Sequence, residues 1–304
     1  MAYLQKRGLS KGTLTRFGLG FAPNRWDALI QELSKEGYDK RDLLDAGLAV
    51  SNKDGRIYDR FRNRVMFPII DTGGNVIGFG GRVMDDSTPK YLNSPDTPVY
   101  NKSRNVFALN IAKKSRAGRV ILTEGYMDTI SLHQAGFDCA VASLGTSLTA
   151  DHAKLLSRFT KEVILCYDGD TAGVQAANRA IPMLEKTGLK VRVLRITGAK
   201  DPDEFIKTFG REAFARLLDR SENYVAYNLK QLQHPFPWKT PSSAASLPGP
   251  GQNCWQNWTA PWSGSLCRPT GPADRRGKGR HPPGDQALPQ PAPVEARKKQ
   301  ARRT

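Results

Sequence analysis

EVILCYDGD, residues 162–170, is a run of apolar and β-branched residues that closes on two acids around a glycine. A short apolar run bounded by a turn signal is the pattern of a strand buried on both faces. The neighbouring sequence repeats it. Upstream, RVILTEG (119–125) reads as a strand, MDTISLHQAG (127–136) as a helix ending at Gly136, and CAVASLG (139–145) as a second strand. LTADHAKLLSRF (148–159) follows as a helix with Thr149 as its N-cap. Downstream of the third strand, Val174, Ala177, Ile181 and Leu184 share one helical face before Gly188, and KVRVLRI (190–196) is a fourth strand. Strands alternating with helices at this spacing predict an α/β fold with a parallel sheet and crossover helices. DPDEFIKTFGREAFARLLDR (201–220) adds helices, with Asp201 as N-cap and Pro202 as first helical residue.

Residues 1–110 differ in character. They form an N-terminal mixed α/β subdomain of short elements among basic clusters. WDALIQELSKEG (26–37) has helical spacing with Gly37 as its stop, and RVMFPIIDTGGNVIGFGGRV (64–83) reads as two strands joined by a turn at 72–75. The α/β repeat occupies 118–200, and a helical subdomain starts at 201–233. After Gln233 the helical text stops in mid-pattern. Residues 234–304 are rich in Pro, Gly, Trp and Arg without period, and read as a disordered tail or as an out-of-frame translation. The coding DNA in the neighbouring frames decides between the two.

The chain of 304 residues carries a formal net charge of +17, which favours polyanionic partners, because bound Lys and Arg release counterions from phosphates. No apolar run reaches the ~20 residues of a membrane span, and the N-terminus has no apolar core of signal type. A cytoplasmic monomer with no membrane partner is the expectation. The four cysteines include no C-x-x-C, so zinc is not expected, and Cys139 and Cys166 lie in core-like runs. His133 and His152 have no partner at metal-ligand spacing.

The acids stand where an open parallel sheet binds ligands, beyond the carboxyl ends of its strands. Glu124 ends the first strand, Asp168 and Asp170 end the third, and Asp201 follows the fourth. Residues two apart in a strand face one side, so the D-G-D spacing presents two carboxylates together, with Gly169 expected to permit the tight turn. Carboxylates gathered this way repel unless a cation sits among them. Their hard oxygen donors suit Mg²⁺ or Mn²⁺, and the chemistry they permit is two-metal phosphoryl transfer. Asp170 and Asp201 also stand where helix N-caps belong, and Asp203 where a first-turn acid belongs, so each has a purely structural reading as well.

E-G-Y-M-D (124–128), followed about forty residues later by D-G-D-T-A-G (168–173), closely resembles the TOPRIM domain, a Rossmann-like parallel-sheet domain shared by DnaG-type primases, topoisomerases and some nucleases. The resemblance implies metal-binding, catalytic roles for Glu124, Asp168 and Asp170. The D-P-D segment resembles a further acidic motif of the primases and implicates Asp201 and Asp203.

YDRFRNRVMFPIID (58–71) sets Arg60, Arg62 and Arg64 at alternate positions, which would project from one face if extended. With V-I-G-F-G-G-R (76–82) and P-K-Y-L-N-S-P (89–95), it resembles the N-terminal half of the DnaG core, and the resemblance runs nearly continuously over 2–232. It implies contacts to template and nucleotide phosphates from Arg60, Arg62, Arg64, Arg82, Lys90, Asn93 and Lys102. The G-F-G-G run lacks a P-loop ending and reads as a strand with close backbone approach. The implied activity is DNA primase: metal-dependent synthesis of RNA primers from ribonucleoside triphosphates on single-stranded DNA. The alternatives are another TOPRIM enzyme, or a fragment that only binds single-stranded DNA. The family's zinc-binding domain, and the domain that docks on the replicative helicase, are expected to be missing from this chain.

Overall fold

The structure, a computed structural model, describes residues 2–224 and 226. The expectations placed on the 234–304 tail and on most of 225–233 lie outside the described residues.

The N-terminal half begins with α1 (Ala2–Lys6), α2 (Lys11–Phe17) and β1 (Gly20–Ala22). Next come α3 (Ala28–Lys35), α4 (Lys40–Asp45), β2 (Ala49–Ser51) and β3 (Ile57–Asp59). Asp59 is buried and accepts hydrogen bonds from the backbone of Leu29 (2.7 Å) and Ile30 (3.1 Å), so it caps α3 from thirty residues away. The predicted hairpin forms as β4 (Arg64–Ile70) and β5 (Val76–Val83), with β6 (Tyr91–Asn93) beside it. These strands and β1 make a four-stranded antiparallel sheet in the order β1-β4-β5-β6. Val65, Phe67 and Ile69 alternate inward from β4 into the core.

The glycines of β5 explain its sequence. A Cβ on Gly80 would lie 2.5 Å from the Tyr126 ring, and one on Gly81 would lie 2.9 Å from Phe61 and Arg64. The G-F-G-G run is a strand stripped of side chains so that neighbours can approach its backbone, as its sequence suggested.

After α5 (Leu109–Ala112) the parallel repeat appears as predicted: β7 (Val120–Thr123), α6 (Tyr126–Gln134), β8 (Ala140–Ala142), α7 (Ala150–Ser157), β9 (Glu162–Leu165), α8 (Thr171–Glu185) and β10 (Lys190–Val193). Then α9 (Pro202–Asp219), kinked at Gly210 (φ 80°), leads to the short β11 (Glu222–Asn223). The sheet order is β11-β10-β9-β7-β8, with β7 to β10 parallel and β11 antiparallel at the edge. Both faces are covered. Val120, Leu122, Val163 and Leu165 pack with α7 and α8 through Leu156, Ile181 and Leu184. Ile121 and Ile164 pack with α6 and α9 through Leu132, Phe205, Phe214 and Leu218. Each such side chain contributes roughly 1.5–3 kcal/mol by leaving water. Thr149 caps α7 as expected, in a reciprocal pair with His152. No helix among the described residues is long and apolar enough to cross a membrane.

A third core cluster joins the halves: Leu4, Leu14, Phe17, Phe67 and Ile69 pack against Tyr126, Met127, Ile130 and Leu144. The N-terminal sheet therefore rests on the first turn of α6, beside the carboxyl ends of β7 and β9.

Candidate functional site

The direction in which connections step across the sheet reverses between the parallel strands β7 and β9: one connection leaves β7 toward β8, and the next crosses back to β9. Such a switch point opens a crevice at the carboxyl ends of the strands. Glu124 follows β7 there, Asp168 and Asp170 follow β9, and Asp201 and Asp203 follow β10 at the start of α9.

The acids share this edge without closing on one point. Among the described residues, no three carboxylate, imidazole or thiol side chains form a metal-holding group. The reason lies in what each oxygen already accepts. Glu124 Oε1 accepts from the backbone of Asp168 (3.2 Å), Asp170 Oδ1 from that of Gly173 (2.7 Å), and Asp201 Oδ1 from that of Glu204 (2.8 Å). Asp170 and Asp201 are thus helix N-caps as well as edge acids. Asp203 is buried, with Oδ2 held by Lys207 Nζ (2.6 Å) and 3.9 Å from Arg7, while its Oδ1 accepts no hydrogen bond.

The charges nevertheless act on one another. Burial pushes the Asp168 carboxyl up to about 6, helped by the charges of Glu124, Asp201 and Asp170 and opposed by Lys200. Glu124 is raised by burial and by Asp170. The largest perturbation within the acidic set falls on Asp128, in the first turn of α6, which burial raises to about 7 with Asp201, Asp168 and Asp203 adding repulsion. Excess negative charge with carboxylate oxygens as donors is an environment that a hard divalent cation relieves.

Gly169 does not have the role its place in D-G-D suggested. Its φ is not in the left-handed region, and a Cβ there would meet only Ile196 O, at 3.6 Å. Gly173 is the glycine the site requires. A Cβ on it would lie 2.1 Å from Asp168 O and 3.1 Å from Glu124 Oε1, so the first turn of α8 packs directly on the acid loop.

The basic side is also built differently from the sequence pattern. Arg60, Arg62 and Arg64 do not alternate along one strand, because β4 begins at Arg64 and Asn63 turns the chain with φ 51°. All three still line one open groove of about 500 Å³, with Trp26, Asp85 and Ser87. Arg60 donates to Asn93 O (Nη2, 2.9 Å), and Arg64 donates to Gly81 O (3.1 Å) and Pro89 O (3.0 Å). Arg62 donates to Asp59 O and lies over the rings of Trp26 (4.3 Å) and Tyr58 (5.0 Å). Arg82 is buried elsewhere, over Tyr3 (5.8 Å) and Tyr91 (5.4 Å), and Arg7 lies over the same Tyr3 ring (5.9 Å). Lys90 and Lys102 are exposed. The Asn93 side chain is engaged at both ends, accepting from Tyr126 Oη (2.9 Å) and donating to Leu144 O (2.8 Å).

His133 and His152 are core groups hydrogen-bonded to Ala140 O (2.8 Å) and Lys102 O (2.9 Å), with Nδ1 of His133 left without a partner. Cys139 and Cys166 are free and buried. Sequence reasoning passed over Asp128, Arg7, Lys207, Trp26 and Gly173. Asp128 was findable, since it stands one helical turn after Glu124 inside the E-G-Y-M-D segment. The pairing of Arg7 with Asp203 spans nearly the whole folded length and leaves no local signal.

Comparison with known proteins agrees with this geometry. Residues 1–113 match the family model of the DNA primase catalytic core, N-terminal domain, and residues 121–206 match the Toprim-like model. The chain is 47% identical over 230 residues to the DNA primase of Clostridium acetobutylicum, covering 75% of this chain and 38% of that protein. It is 45% identical over 251 residues to the DNA primase of Escherichia coli (strain K12), covering 81% of this chain and 43% of that protein. The chain thus spans about two fifths of the length of the curated relatives it matches. Among solved structures, the DnaG primase catalytic domain bound to ssDNA superposes with a TM-score of 0.71 at 44% identity, over 76% of this chain and 74% of that one. A DNA primase domain from Pseudomonas aeruginosa gives 0.71 at 42% identity, with 76% and 74% coverage. With an acidic switch-point edge, an arginine-lined groove beside it and these matches over both halves, the chain belongs to the DnaG-type DNA primase family, in the region of its catalytic core.

Proposed function

We propose that this chain carries the nucleotidyl-transfer centre of a primase, joining ribonucleotides into a short RNA primer on a single-stranded DNA template at the replication fork in the cytoplasm. The observation that carries the reading is the acidic edge at the β7/β9 switch point, where burial and neighbouring carboxylates raise Asp128 and Asp168. Glu124, Asp168 and Asp170 would hold the divalent cations, with Asp128 and Asp201 beside them. Asp203 has one oxygen committed to Lys207, so its share is limited to Oδ1.

Bound there, Mg²⁺ or Mn²⁺ would favour loss of the attacking 3′-hydroxyl proton and neutralise charge on the departing pyrophosphate. The chain's own groups do the positioning. The arginine groove takes the template backbone, with Arg60, Arg62 and Arg64 as phosphate partners and exposed Lys102 extending the basic surface. Arg7, Arg82 and Lys90 supply positive charge for the incoming triphosphate. Gly173 keeps α8 close enough for Asp170 to serve as both cap and ligand.

The test is synthesis of labelled primers on single-stranded DNA with Mg²⁺ and ribonucleotides. Asp168→Asn and Glu124→Gln should each abolish product while the DNA dissociation constant stays within about twofold. Arg60→Ala should weaken DNA binding and flatten its salt dependence. Loss of DNA affinity in the acid variants equal to the loss of synthesis would refute the assignment. Nicking or relaxation without ribonucleotides would replace it with another TOPRIM chemistry, and metal-independent DNA binding alone would reduce it to a binding module.

A further inference from the structure

Tyr126 is the first residue of α6 and stands two positions from both Glu124 and Asp128. It is buried, with its ring stacked on Phe67 (5.0 Å, 19°) and Tyr91 (6.0 Å, 28°) and edge-on to Phe107 (4.7 Å, 77°). Gly80 leaves the space that admits it. An apolar ring would fill this slot equally well. The hydroxyl instead reaches across to the N-terminal half and donates to Asn93 Oδ1 (2.9 Å).

Asn93 is the centre of the joint. Its Nδ2 donates to Leu144 O (2.8 Å) in the segment after β8, so the side chain bridges two separate parts of the parallel-sheet half. Its own backbone oxygen is gripped by Arg60 through Nη2 (2.9 Å) and Nε (3.3 Å). Arg60 lines the arginine groove. A continuous chain of contacts therefore runs from the groove, through Arg60 and Asn93, to Tyr126 and the turn that carries Glu124 and Asp128.

We infer, on the nucleotidyl-transfer reading above, that Tyr126 is a positioning residue whose hydroxyl couples occupancy of the arginine groove to the geometry of the acidic edge. Tyr126 touches neither reacting atoms nor metal in this role. It sets where the first turn of α6 stands relative to Asn93, and Arg60 alters that relation when it shifts to a template phosphate. Asn93 is then a joint between the halves more than a nucleotide contact, since both ends of its amide are already engaged.

The experiment measures Mn²⁺ affinity by electron paramagnetic resonance with and without a single-stranded oligonucleotide, together with steady-state primer synthesis. The wild-type protein is expected to bind Mn²⁺ about tenfold more tightly with DNA present. In Tyr126→Phe, which keeps the ring stack, Mn²⁺ affinity without DNA and DNA affinity without metal should stay within twofold. The tenfold enhancement should vanish, and kcat should fall about tenfold at unchanged KM for nucleotide. Asn93→Ala should remove the same enhancement, and the double variant should lose no more than Asn93→Ala alone. Wild-type enhancement retained in Tyr126→Phe overturns the inference, as does a loss of melting temperature with coupling intact. A wild-type protein that makes primers but shows no enhancement overturns it while leaving the nucleotidyl-transfer reading standing. A wild-type protein that neither makes primers nor binds Mn²⁺ overturns both.

Discussion

Asp128→Asn should stabilise the metal-free protein, and the gain should depend steeply on pH. Asp128 has the most strongly perturbed carboxyl of the acidic edge, raised to about 7 by burial and by Asp201, Asp168 and Asp203. An unfolded aspartate titrates near 3.9, and each unit of difference is worth about 1.4 kcal/mol. The folded protein therefore holds this proton more tightly than the unfolded chain does, so stability is full at low pH and is lost as pH rises through about 7. Three units amount to about 4 kcal/mol, which partial exposure and screening reduce to about 3 kcal/mol. Asparagine has the same shape and can still accept the backbone N–H of Asp203 that Asp128 accepts, so the substitution removes charge and little else. At 2–4 °C per kcal/mol, the melting temperature in EDTA at pH 8 should rise by roughly 6–12 °C. At pH 4 the two proteins should melt nearly together. Saturating Mg²⁺ should narrow the gap at pH 8, because a cation held at the edge offsets the repulsion on ionised Asp128 that the asparagine lacks. A variant no more stable than wild type at pH 8, or equally favoured at pH 4, would refute this account of the edge.

Three further outcomes follow from particular contacts. Gly173→Ala forces a Cβ to 2.1 Å from the Asp168 carbonyl, a backbone atom that cannot swing away, so primer synthesis should fall at least 100-fold with a clear drop in melting temperature; near-wild-type activity would show that the acid loop is not held as described. His133 is buried neutral on Ala140 O and lowered by burial to about 4, so it contributes stability that is present above pH 6.5 and is lost as pH falls toward 4. That loss, about 3 kcal/mol by urea unfolding, should disappear in His133→Leu. Thr149→Ala removes both the α7 cap and a 2.6 Å hydrogen bond to Ser103 O, and should cost about 1–2 kcal/mol by the same measurement without changing the DNA dissociation constant.

The parallel half was legible because its instructions are local. Apolar runs such as EVIL and VILT specify strands, Thr149 and Asp201 specify helix starts, and glycines specify stops. The order of acids along the chain then puts Glu124, Asp168, Asp170 and Asp201 at one sheet edge by topology alone. The hairpin of β4 and β5 and the bare strand of β5 were legible for the same reason.

What the sequence could not state is which atoms each side chain finds. Whether Asp203 comes within 3.9 Å of Arg7 depends on how the N-terminal half packs on α9, and whether Asn93 is free or clamped depends on the N-terminal sheet resting on Tyr126. The arginines reach one groove through a left-handed turn at Asn63 that no alternation rule contains, and Gly173 is required by a carbonyl five residues away that only folding brings near. Periodicity and capping act over a few residues, so sequence alone determines elements and their order. Hydrogen-bond partners and charge coupling act through space over a few ångströms, and only the packed tertiary structure decides them.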